Sequence, residues 1–86
     1  MKFQDLQQHL ETYGCNIDHI QDDLYWATNC INAQVCEIEK LKKYSEVTLC
    51  HYFFELGIPA PLKYSHALES YRNFRENINQ GIPQDE

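Results

Sequence analysis

With 86 residues, 43% of them hydrophobic and 13% aromatic, the chain has enough apolar material for one core, so a single folded domain is expected and not a wholly disordered chain. Thirteen acidic residues against seven Lys and Arg leave a net charge of −6, an unfavourable start for binding a phosphate backbone. The longest apolar run, Leu24-Tyr25-Trp26-Ala27, falls far short of the ~20 residues a membrane span needs, and the N-terminus has no apolar signal segment, so a soluble cytoplasmic protein with no membrane partner is expected.

In chain order, Phe3, Leu6, Leu10 and Tyr13 recur at helical spacing and leave Gln4, Gln7, Gln8, His9 and Glu11 on the other faces. Gly14 stops this first helix, because glycine enters the left-handed region without penalty. Residues 15–20 then alternate as a half-buried strand, with Cys15 and Ile17 on one side and Asn16 and Asp18 on the other. Gln21-Asp22-Asp23 is a polar turn. The run Leu24 to Thr28 is apolar on both faces, Leu24 and Trp26 on one, Tyr25 and Ala27 on the other. Asn29 to Asn32 has turn chemistry. Alternation resumes over residues 33–39, where Cys36 and Ile38 oppose Val35, Glu37 and Glu39.

Ser45 caps a second helix with Glu46 in its first turn, Leu49, Phe53 and Leu56 form its stripe, and Gly57 ends it. Pro59 and Pro61 hold the connector extended. A third helix follows, carrying Ala67, Leu68, Tyr71, Phe74 and Ile78 as far as Gly81. The order predicts an α+β fold, α-β-β-β-α-α, with a three-stranded antiparallel sheet packed by helices. One domain spans residues 1–81, and residues 82–86 form a flexible tail. Because the middle strand is apolar on both faces, its second face needs a cover, from the third helix or from a second subunit in a homodimer.

Chemistry-bearing residues are sparse. Cys15, Cys30, Cys36 and Cys50 include no Cys-x2-4-Cys knuckle; the closest pair, Cys30-x5-Cys36, gives zinc no local site even with His19 or His51 added. Reduced thiols, no metal and no cofactor are expected. His9 and His66 lie on polar helix faces, and His51 diverges by about 100° from its neighbour Cys50 on a helix, so no thiolate–imidazolium pair forms. His19 shares the face of Cys15 and Ile17. Asp22 and Asp23 supply too few oxygens for a hard cation. The three glycines are isolated, so no phosphate-cradling loop exists.

Leu6-x3-Leu10-x2-Tyr13-Gly14, Leu24-Tyr25-Trp26 in the second strand, and Val47-Thr48-Leu49 through Glu55-Leu56-Gly57-Ile58 resemble the HicA-type toxin family over residues 3–60. That resemblance implies a double-stranded-RNA-binding-domain-like fold and messenger-RNA cleavage by a His just ahead of the second strand, usually after Gly-Ser or Gly-Gly. Here Gln21-Asp22-Asp23 occupies that place, and family toxins are generally basic while this chain is acidic. The resemblance therefore carries the fold, and not the nuclease site.

No catalytic residues are assigned. The expectation is a small acidic protein-interaction module without enzymatic activity, a regulator or inhibitor of the kind mobile elements carry in toxin–antitoxin pairs. Its carboxylates would occupy a basic nucleic-acid-binding surface on a protein target. Tyr25, Asp22, Asp23, Tyr71 and Phe74 are its candidate partner-binding residues, with Tyr25 on an open sheet face. The alternative is a HicA-like RNA-binding or mRNA-cleaving domain that uses Lys40, Lys42 and Lys43.

Overall fold

A computed structural model of the chain describes residues 1–81, with side chains described as far as Asn77. The element order is α1 (Phe3–Thr12), β1 (Cys15–Gln21), β2 (Leu24–Asn29), β3 (Val35–Glu39), α2 (Glu46–Leu56), a 3-10 turn (Leu62–Tyr64) and α3 (Ser65–Gly81). It is the expected α-β-β-β-α-α fold, with one antiparallel sheet in the order β1-β2-β3. The third strand begins at Val35, two residues later than its alternation suggested, because Ala33 takes a positive φ of 64° and closes the turn through its N–H to the Asn29 carbonyl. The expected tail, residues 82–86, and the side chain of Ile78 lie outside the described residues.

Local chemistry accounts for the helix ends. The Asp5 carboxylate accepts from the Lys2 backbone N–H at 3.4 Å at the start of α1, and Gly14 follows α1 with a φ of +83°. Ser45 Oγ accepts from the Thr48 N–H at 3.2 Å, and Gly57, at a φ of +68°, ends α2. The last carbonyl of α2, on Leu56, accepts from Asn29 Nδ2 at 2.8 Å and Asn32 Nδ2 at 3.2 Å. Asn29 also accepts from the Ile31 N–H, so one buried amide joins the β2–β3 turn to the helix end.

The inward sheet face carries Cys15, Ala27, Cys36 and Ile38. Against it stand Leu6 and Leu10 of α1 and Leu49, Phe53 and Leu56 of α2, all five fully buried. Burying each of these large side chains contributes roughly 1.5–3 kcal/mol. Both helices therefore lie on one side of the sheet.

The third helix does not cover the other side. Two contacts fix its course: His51 Nδ1 to Tyr71 Oη at 3.1 Å, and Glu55 Oε2 to Arg75 Nη2 at 3.7 Å. The partners advance by four residues on both helices, so α3 runs beside α2 in the same direction. The extended connector after Gly57 returns the chain to the start of α2. Its Pro59 carbonyl lies 2.8 Å from His9 Nε2 on α1, and Ile58 is buried. Among the described side chains of α3, Leu68 is the buried apolar one, while Phe74 is 59% exposed. The cover expected over the outward face of β2 is absent from the chain's own described elements because α3 packs on α2 instead.

Candidate functional site

The outward sheet face is set by the strand register. Asp18 pairs with Trp26, which pairs with Glu37, and these three side chains form one row across the sheet. A second row runs Gln21, Leu24, Glu39, and a third runs Asn16, Thr28, Val35. A β-bulge between His19 and Gln21 separates the first two rows and leaves Ile20 48% exposed at the edge. Trp26, the only tryptophan of the chain, is 38% exposed at the centre of this face. Paired Cβ atoms on neighbouring strands stand about 4.5–5.5 Å apart, so a carboxylate flanks the indole on each side. Across the three rows stand Asp18, Glu37 and Glu39 and not one Lys or Arg. Among the described residues the ion pair is Arg75 with Glu55, so the outward carboxylates have no internal counter-charge.

The expected partner-binding residues are distributed over three places. Asp22 and Asp23 form the exposed β1–β2 turn. Tyr25 is not on the open face: it points inward, half-buried, with its ring 4.9 Å from both the Phe3 and the His19 rings. Tyr71 lies in the α2–α3 seam, where its hydroxyl accepts from Arg75 Nη1 at 2.9 Å and so has its proton free for His51 Nδ1. Phe74 borders a cavity of about 560 Å³ between α2 and α3, with Val47, Cys50 and Ala67 among its apolar walls. Glu46 and Lys63 give that cavity both signs of charge. The residues that sequence reasoning missed are Asp18, Trp26, Glu37 and Glu39. Their shared signal was the two-residue alternation that separates Trp26 from Tyr25.

The lysines of the alternative site occupy the loop between β3 and α2. Lys42 and Lys43 are exposed, and Lys40 stands 5.5 Å from the Phe3 ring centroid. The Lys40 N–H donates to the Asp23 carbonyl, which brings the basic loop against the acidic turn.

Nothing in the described residues assembles a nucleophile and a base. His19 Nε2 lies 2.8 Å from the Asp22 carbonyl and exposed at the strand end, although its strand face is the inward one. His9 and His51 are held by Pro59 and Tyr71, as above. Cys15, Cys36 and Cys50 are buried and only Cys30 is exposed. Burial pushes the Cys36 thiol up to about 12, with the Glu55 and Glu37 carboxylates adding to the effect, and burial likewise raises Cys15 and Cys50. Such thiols stay protonated and unreactive at neutral pH. Among the described residues no three His, Cys, Asp or Glu side chains converge as metal ligands, and no helix is long and apolar enough to cross a membrane.

Comparison with known proteins adds no identity: no protein-family model, curated protein or solved structure matches the chain.

Proposed function

We propose that the chain is a non-catalytic protein-interaction module that docks a basic protein surface on its outward sheet face. The observation that carries this reading is the uncovered face itself, an exposed Trp26 set among Asp18, Glu37 and Glu39 with no cation beside them. A sheet face that is apolar at its centre and charged around it has the anatomy of an interface, with an aromatic anchor and a polar rim. Negative charge steers a positively charged partner and disfavours phosphate. A protein that binds nucleic acid through a basic patch offers the matching surface, and covering that patch would make this module its regulator or inhibitor.

The HicA-like reading keeps one supporting observation, the α-β-β-β-α order with both helices on one side of the sheet. It requires RNA to meet Lys40, Lys42 and Lys43. The two readings separate in one set of measurements. Capture from the native host after nuclease treatment, with wild-type protein and an Asp18→Lys/Glu37→Lys variant as baits, should give a protein that only the wild type retains. RNA affinity and cleavage are measured in parallel. RNA binding that falls steeply with salt and disappears on Lys40→Glu/Lys42→Glu/Lys43→Glu, or cleavage that disappears in His19→Ala, would overturn the proposal and restore the nuclease reading.

A further inference from the structure

We infer that the row Asp18–Trp26–Glu37 receives an arginine side chain of the partner, its guanidinium stacked on the Trp26 indole and hydrogen-bonded to the flanking carboxylates. The inference rests on the interaction-module reading and gives its docking face a specific occupant. Three observations combine in it. The register places the two carboxylates on opposite sides of the indole on adjacent strands. Trp26 presents 38% of its surface to solvent although both edges of β2 are paired, so part of the indole is accessible from above the sheet. Three of the chain's own cations stack on other rings, Lys40 on Phe3, Lys63 on Tyr64, and Arg75 on Phe54 and Tyr71, and none of the seven shares a strand row with Trp26.

The chemistry selects arginine over lysine. A guanidinium is planar and stacks on an aromatic face while its N–H donors point outward in the ring plane. Donors directed outward from a planar guanidinium lying on Trp26 reach towards carboxylates on either side. An ammonium is a compact, strongly hydrated point charge that also binds indole, but it cannot span both neighbours with the same pose. The face therefore differs from a diffuse acidic surface, which would take any polycation equally. The cavity between α2 and α3 makes no such selection, because its border carries both signs of charge.

Because Trp26 is the only tryptophan, its emission reports on this site alone. The full-length protein is titrated with an oligoarginine peptide, an oligolysine peptide of equal length, and a single-stranded RNA oligonucleotide. Oligoarginine should change Trp26 emission saturably and bind several-fold more tightly than oligolysine, and RNA should leave the emission unchanged. Asp18→Asn/Glu37→Gln should weaken oligoarginine by about tenfold or more, as expected when charge-assisted contacts are removed. Glu69→Gln/Glu76→Gln, the same change in net charge placed on α3, should alter affinity by no more than about twofold. Trp26→Ala, followed by calorimetry and checked by circular dichroism, should lose the preference for arginine. Equal weakening in both double variants, or equal affinity for the two peptides, would reduce the face to general electrostatics and overturn the arginine site while leaving the module reading intact. Absence of any oligoarginine binding at low salt would also overturn the site. Emission that responds to RNA instead would overturn both.

Discussion

At the scale of single residues, the most consequential polar side chain is Asn29. It is 3% exposed, and its amide serves the Leu56 carbonyl and the Ile31 N–H at once. Asn29→Ala leaves both groups without these partners in a buried setting and should cost about 1–3 kcal/mol in urea unfolding. A change below a few tenths would show that solvent reaches the site. The thiols give a second residue-level expectation. In the unfolded chain a cysteine ionises near 9, whereas folded Cys36 holds its proton to about 12. Between those values the folded state binds more protons than the unfolded one, so stability falls as pH rises through this window. Cys15, Cys50, Tyr44 and Tyr52 are raised by burial and act in the same direction. Unfolding midpoints should therefore decline from about pH 9 upward. At neutral pH a thiol reagent should modify Cys30 alone until the chain unfolds. Flat stability across the alkaline range would contradict the burial of Cys36.

At the scale of elements, much of the fold was legible because local signals agreed with one another. Gly14 and Gly57 mark helix ends, Ser45 marks a helix start, and the Cys36–Ile38 alternation marks the inward face of β3. The candidate site was less legible because it depends on register across strands. Continuing the Gln21–Leu24 pair without a bulge would set His19, and not Asp18, beside Trp26 on the outward face. The bulge at Ile20 instead pairs Asp18 with Trp26 and His19 with Tyr25. One inserted residue thus decides which β1 side chain stands beside the indole, and no local propensity announces it. The course of α3 was hidden for a related reason, since a stripe of Leu68, Tyr71 and Phe74 does not say which neighbour it meets. Its two apolar sides now predict different mutational costs. Leu68→Ala, at a buried position, should destabilise by about 2–4 kcal/mol. Phe74→Ser, at a position 59% exposed, should stay within about 0.5 kcal/mol. Equal costs would mean that Phe74 is covered in solution, which sedimentation would then trace to a second subunit.

At the scale of the whole molecule, the sheet separates two tasks. Its inward face and the helices α1 and α2 make the core, and among the described residues every buried apolar one except Leu68 precedes Ala60. Its outward face holds the proposed docking row and contributes little to that core. The third helix belongs to neither task directly, because it packs along α2 on the side away from the outward face. A fragment ending at Pro61 should therefore fold with the same strands and first two helices. It loses Leu68, the partly buried Tyr64, Ala67 and Tyr71, the Glu55–Arg75 pair and the His51–Tyr71 hydrogen bond, so the loss should exceed that of Leu68→Ala and be dominated by apolar burial. Residues 62–86 carry three Lys and Arg and four Asp and Glu, a net −1, so the fragment moves from −6 to −5 and keeps Asp18, Glu37 and Glu39 intact. Its affinity for oligoarginine should then match that of the full chain within about twofold, while its urea midpoint drops. Circular dichroism at low temperature would show whether the fragment folds, and Trp26 emission would report its binding on the same sample. A folded fragment that no longer binds would place α3 in the docking site. A fragment with no cooperative transition would make α3 part of the minimal fold, and the core drawn from the first two helices would be incomplete.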